Sequence, residues 1–371
     1  MKRVIEIGNI VAGPTAGLIL SDLGYEVIKI EKPLPGDISR NISANSSGIF
    51  PYFNRNKKSV TLDIKNSEGK KLLRELIKTS DIIIENFGPN VMDNLGFSYN
   101  DVKKINKNII YLSIKGYMDG PYEDRKSLDF PAEIESGIAY MSGLTDKPMR
   151  IGSSAIDMVA AMLGVIKILD IETGNNGGFI KIGLFETAMF LTGQHIATYQ
   201  IEGKELKPLN EENFAWGVYD FFKTYDNKNI FIAIATDNQW LTFCNAFEFD
   251  YGKKDKFATN EKRHINRNML IPEIQRAIIN IKSDDLISKL RRYNISYGML
   301  NKPWDLLKNE HAMKYMVPLK YKNKMLYVPA MPFYNGASNS IPELGENSYD
   351  ILSSLGYSMD EIDLMRKNNI I

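Results

Sequence analysis

Asp157 is the acid whose neighbours give it chemistry. It lies in Gly152-Ser153-Ser154-Ala155-Ile156-Asp157-Met158-Val159-Ala160-Ala161, a Gly/Ser-rich turn running into an apolar, small-residue helix through Gly164. The first N–H groups of a helix have no intrahelical partner, so they stabilise a carboxylate there as its anion. If the mouth of that helix is dry, the same carboxylate is a competent nucleophile toward an activated acyl group. An isolated acid at such a position more commonly caps its helix or balances the dipole. Two other segments bear on the choice. Ile5-Glu6-Ile7-Gly8-Asn9-Ile10-Val11-Ala12-Gly13-Pro14 follows the first apolar run, and Ile84-Glu85-Asn86-Phe87-Gly88-Pro89 follows another. Strand-to-helix loops of this kind gather ligands at the carboxyl edge of a parallel sheet.

The elements that must carry these residues alternate in type. Apolar runs at Arg3–Ile7, Val27–Glu31, Ser59–Asp63, Asp81–Glu85, Ile109–Ile114 and Phe179–Leu184 read as strands. Ala16–Leu23, closed by Gly24, and Ser67–Thr79, with Ser67 as N-cap, read as intervening helices. A long helix behind Asp157 and another over Glu186–Gln200 follow. This alternation predicts an α/β fold with right-handed βαβ units and a Rossmann-like parallel sheet. After a polar stretch, Tyr219–Ala235 alternates aromatic and polar residues around Asp226-Asn227-Lys228-Asn229, the pattern of an antiparallel hairpin. Helical patterns at Gln239–Phe247, Asn260–Ile281 and Ser283–Tyr293 complete a smaller α+β unit. The expected division is a large domain over 1–200, a linker or lid over 201–218, the small domain over 219–318, and a return segment over 319–371.

Composition narrows the function. A 371-residue chain exceeds one ordinary core. Its net charge of +1 argues against a nucleic-acid partner or a membrane surface. Cys244 is the single cysteine, which excludes an internal disulfide and suits a reducing cytoplasm. The start of the chain lacks a signal-peptide pattern, and no apolar run reaches transmembrane length. His195, His264 and His311 stand far apart, without ligand spacing, so no metal is expected. Gly8–Pro14 is not a GxGxxG fingerprint, which disfavours a nicotinamide cofactor.

Several motifs, in order along nearly the whole chain, resemble the family III CoA-transferases (CaiB/BaiF family), the group of formyl-CoA and carnitine CoA-transferases. These are the Gly8–Pro14 loop, Val27-Ile28-Lys29-Ile30-Glu31 with Gly36-Asp37 and Arg40, Asn56–Lys65, Glu85–Pro89, and Ser113-Ile114-Lys115-Gly116-Tyr117 with Gly120-Pro121-Tyr122. The resemblance implies that Asp157 is the acyl-accepting nucleophile and that coenzyme A or acyl-CoA is a substrate. It implies that Asn9, Ile10, Val11 and Ala12 lie against CoA, and that Lys32 and Lys65 meet its phosphates. Leu62 would pack on the adenine, Asn86 and Phe87 would line the pantetheine channel, and Asn94 and Lys115 would be further CoA contacts. It further implies an interlocked homodimer working on acyl-CoA and a small carboxylic acid.

The same fold hosts α-methylacyl-CoA racemases, which need two acid–base groups about an enolisable carbon. Racemases place a His immediately before the Asp that follows the Gly-Pro-Tyr segment, and here Leu128 precedes Asp129. Leucine cannot carry a proton, which leaves transfer as the favoured reading and racemisation as the alternative. A CoA-binding protein without turnover and an unrelated nucleotide-dependent oxidoreductase are the other classes. Relatives carry a glycine-rich or Arg-His-Pro stretch at the position of Pro208–Val218, and this chain carries neither. That departure leaves lid behaviour and acid choice open.

Overall fold

The apolar runs of the first half become one sheet. β1 (Arg3–Ile7), β2 (Glu26–Glu31), β3 (Lys58–Thr61), β4 (Ile82–Glu85), β5 (Ile110–Lys115) and β6 (Gly178–Gly183) pair in the order β3-β2-β1-β4-β5-β6. Every neighbouring pair is parallel. The structure is a computed structural model describing all residues except 175, 212–215, 335, 337 and 338.

Side chains alternate across each strand, and a parallel sheet must bury both faces. Val4, Val27, Ile84, Leu112 and Ile180 face the helices Ala12–Asp22, Ala155–Thr173 and Leu184–Glu202. Ile5, Ile28, Val60, Ile83 and Tyr111 face Ser67–Lys78, Ser348–Ser354 and Met359–Lys367. Gly164 lets the Asp157 helix lie close on β5, since a Cβ there would meet Leu112 Cδ1 at 2.8 Å. A larger residue at 164 would have to displace the Leu112 side chain from this contact.

Chain packing divides the molecule into Met1–Leu206 with His311–Ile371, and Lys207–Glu310. In the second unit β7 (Val218–Lys223), β8 (Asn229–Ile234) and β9 (Ser296–Met299) form an antiparallel sheet. Val218, Phe222, Ile230 and Ile232 pack there with Trp240, Phe243, Ile274 and Leu290. In the first unit, residues 345–348 return to the edge of the large sheet. The Ser59 N–H donates to Asn347 Oδ1 at 2.9 Å, and the Asn347 N–H donates to Ser59 O at 2.9 Å.

Some expected boundaries shift for local reasons. The helix expected from Ala16 begins at Ala12, with Gly13-Pro14 in its first turn. Proline is tolerated there because the first-turn N–H groups have no intrahelical acceptor. The cap of the next helix is Asn66 rather than Ser67, its side chain accepting from the Glu68 N–H. The helical stretch expected over Asn260–Ile281 breaks at Asn266 into Asn260–Ile265 and Arg267–Ile278. One hairpin was not anticipated: β10 (Met316–Tyr321) and β11 (Lys324–Pro329), joined through Lys322 at φ 52°. Of the lid segment discussed above, residues 212–215 lie outside the described residues.

Candidate active site

The strand order reverses between β1 and its neighbour β4, and the loops leaving those two strands open a crevice there. Asn9 and Asn86 stitch the loops together. The Asn9 N–H donates to Asn86 Oδ1 at 2.9 Å, and Asn86 Nδ2 donates to Asn9 O at 3.0 Å. Gly13 is required at this seam, because a Cβ there would lie 2.9 Å from Asn86 Oδ1. Ile10 takes φ 66°, a left-handed conformation that β-branched residues rarely adopt. Its N–H donates to Asp37 Oδ1 at 3.3 Å.

Beneath the loop lies a buried charge network. Lys29 Nζ meets Glu6 Oε1 at 2.9 Å, Asp37 Oδ2 at 2.8 Å and the Gly8 carbonyl at 2.8 Å. Lys57 Nζ meets Glu6 Oε2 at 2.6 Å, the Pro14 carbonyl at 2.8 Å and Asn54 Oδ1 at 3.0 Å. Two ammonium groups thus face two carboxylates, and both also hold backbone of the loop. Such pairs need this complete satisfaction to survive without water.

Asp157 sits in the first turn of the Ala155–Thr173 helix, whose N-cap residue, Ser154, makes no side-chain cap. The cap comes instead from the helix Asp129–Glu135. Asp129 Oδ2 accepts the Ile156 N–H at 2.9 Å and the N–H of Asp157 itself at 3.2 Å. Asp129 Oδ1 accepts from Arg150 Nη2 at 2.8 Å. Glu133, one turn on from Asp129, is fully buried, accepts the Ile151 N–H at 2.9 Å and lies 4.0 Å from Arg150 Nε. Asp129 and Glu133 therefore share one guanidinium. Burial, then the Asp129 carboxylate, push the Asp157 carboxyl up to about 7, with Arg150 pulling the other way. Burial and Asp129 also raise Glu133.

A cavity of about 900 Å³ opens over Asp157. Of the residues anticipated from sequence, Asn9, Ile10, Val11, Ala12, Asn86, Phe87 and Lys115 line it with Asp157. Lys32, Leu62, Lys65 and Asn94 do not line it. Lys32, Lys65 and Asn94 are exposed. Leu62 is 1% exposed, packed in the core with Ile30 and Val60. Lys115 is no free cation: its Nζ meets Glu85 Oε1 at 2.8 Å and the Phe87 carbonyl at 2.9 Å. It clamps the Phe87 backbone at the cavity wall. Leu128 is 68% exposed and lines the cavity beside Asp129.

Sequence reading did not assign Asp129, Glu133 or Arg150 to the site. The i, i+4 spacing of Asp129 and Glu133 was the available signal, since it sets two acids on one helix face. Among the described residues no cluster of three His, Cys, Asp or Glu side chains is arranged to hold a metal ion. No helix among them is long and apolar enough to cross a membrane.

The family model described as CoA-transferase family III matches residues 2–347. The chain belongs to that family. It is thus an enzyme of the CoA-transferase class, acting on CoA thioesters. Among CoA-transferases it is 28% identical to the succinyl-CoA–L-malate CoA-transferase alpha subunit of Chloroflexus aurantiacus, over 100% of this chain and 91% of that protein. It is 30% identical to the succinyl-CoA:glutarate CoA-transferase of Mus musculus, over 84% of this chain and 74% of that one. A solved CAIB/BAIF family protein from Brucella suis superposes with a TM-score of 0.78 at 27% identity, covering 95% of this chain and 98% of its own.

Proposed function

We propose that this CoA-transferase moves coenzyme A from a short acyl-CoA to a small carboxylic acid through covalent intermediates on Asp157. The observation that carries the reading is Asp157 itself, a first-turn carboxylate under a roomy cavity with its N–H and carboxyl both governed by Asp129. A carboxylate oxygen of Asp157 attacks the donor thioester, and CoA leaves as thiolate with the bonding electron pair, giving a mixed anhydride. The thiolate then attacks the Asp157 carbonyl carbon, releases the donor acid as its carboxylate and leaves an Asp157–CoA thioester. The acceptor carboxylate attacks that thioester, expelling thiolate and forming a second anhydride. Thiolate attack on the acceptor's acyl carbon gives the new acyl-CoA and restores the Asp157 carboxylate. No proton, metal or electron carrier enters the balance.

Asn9, Ile10, Val11, Ala12, Asn86 and Phe87 are assigned to the acyl and pantetheine end of CoA, and Lys32, Lys65 and Asn94 to its phosphate end. Relatives named for succinyl-CoA with malate, citramalate or glutarate, and for formyl-CoA with oxalate, make dicarboxylic acids the first acceptors to screen. A homodimer is supported by the apolar surface of the Leu184–Glu202 helix, where Phe190 is 74% and Ile201 84% exposed.

Intact-protein mass spectrometry with a donor panel, with and without hydroxylamine, tests the mechanism. A CoA- or acyl-sized adduct on Asp157, absent from D157A, supports it. No adduct, together with solvent deuterium entering the α-carbon of a bound acyl-CoA, would replace it with the isomerase reading. Leu128 at the racemase His position weighs against that outcome.

A further inference from the structure

We infer that Arg150 receives the acceptor's carboxylate, and that acylation of Asp157 is what frees it to do so. The inference rests on the covalent reading above. Arg150 lines the same cavity as Asp157, and its side chain is 46% exposed. Its hydrogen bonds to described residues run through Nη2, to Asp129 Oδ1 at 2.8 Å and to Ser154 Oγ at 3.2 Å. A guanidinium presents a planar fork of five N–H donors, so Nη1 keeps the geometry suited to a second carboxylate.

Two other cations line the cavity. Lys115 is tied to Glu85 and the Phe87 carbonyl. Lys126 reaches the opposite loop, its Cε 3.9 Å from where a Gly88 Cβ would stand. Arg150 is the cation bonded to Asp129, the residue that accepts the Asp157 N–H.

The charge count then gives the order of events. In the resting site Arg150 faces the carboxyls of Asp129, Glu133 and Asp157, and a fourth anion is unwelcome. Acylation converts Asp157 to a neutral anhydride or thioester and removes one of those anions. The acceptor's carboxylate meets a site one charge more positive just when its attack is needed. Free enzyme therefore binds the acid weakly, and acylated enzyme binds it well.

An Asp157→Asn variant mimics the neutral acylated state without turnover. Succinate binding, with succinamide as the uncharged control, is measured by calorimetry in the presence of CoA at pH 8.5. D157N binds succinate about tenfold more tightly than wild type, and succinamide no more tightly. Adding R150Q removes the gain, and adding R150K restores part of it. Thermal melts of each variant establish that it is folded, and R150K keeps the comparison usable if R150Q melts early. D157N binding no tighter than wild type, or a gain that survives R150Q, overturns the proposal. Failure of the Asp157 adduct to form would instead overturn the covalent reading, and is read in a separate experiment.

Discussion

Two groups of charges flank the same cavity and are built in opposite ways. Under the Asn9–Ala12 loop, Lys29 and Lys57 answer Glu6 and Asp37 one for one, each ammonium also holding a backbone carbonyl. At the mouth of the Asp157 helix, among the described residues, Arg150 alone answers Asp129, Glu133 and the nucleophile. Burial affects both groups, but its outcome differs. Burial raises the Asp37 carboxyl, yet Lys29 and then the Ser39 hydrogen bonds outweigh it, and the group settles below its usual value. At Asp157 burial, and then Asp129, outweigh the pull of Arg150, and the carboxyl is pushed up to about 7. A balanced network is a rivet, and an unbalanced one is a reactive group held under tension.

Removing the tensioned group should have the largest effect. Asp157→Ala should abolish the adduct and cut turnover about ten-thousandfold, read by mass spectrometry and steady-state kinetics. Breaking the rivet should act on folding instead. Glu6→Ala leaves two buried ammonium groups facing each other and should cost about 3–5 kcal/mol in urea unfolding. If it costs less than 1 kcal/mol, the balanced network is not structural and the contrast fails.

Smaller effects sharpen the comparison. Asp129→Asn keeps an oxygen for the Ile156 and Asp157 N–H groups but removes a negative charge. The pH at which adduct formation reaches half its maximum should fall by about one unit. An unmoved profile would mean that burial alone sets Asp157. The rate should rise with pH through about 7, since the anion is the nucleophile. Stability should run the opposite way. The folded-state value lies above the unfolded one of about 4, so the contribution is fully present below pH 4 and lost as pH rises to about 7. Asp157→Asn escapes that loss and should be more stable than wild type by about 4 kcal/mol at pH 8.5, with little advantage at pH 4. Thermal melts at both pH values measure it.

Much of this was legible in the chain for physical reasons. Buried parallel strands such as Ile82–Glu85 and Ile110–Lys115 write themselves as continuous apolar runs, and the Gly/Ser turn before Asp157 marks a helix start. Asn9 and Asn86 were singled out separately, but their reciprocal bonds depend on β1 and β4 lying side by side. Arg150, Asp129 and Glu133 were harder, because no local pattern says that a cap will arrive from another helix. Leu62 and Lys115 show the converse limit. The resemblance implied a ligand contact for each, and the burial of one and the Glu85 partner of the other are set by tertiary packing that no local pattern records.

The seam between β3 and residues 345–348 ties together positions up to 288 apart in sequence. At ribosomal rates of about 5–20 residues per second, the rest of that span takes roughly a quarter of a minute to a minute to emerge. Until then β3 stands as an open strand edge with unpaired N–H and C=O groups, a template for pairing with another nascent chain. The enzyme's exposure to misassembly is thus greatest during its own synthesis, and chaperone supply or slower expression should raise yield without touching the finished fold.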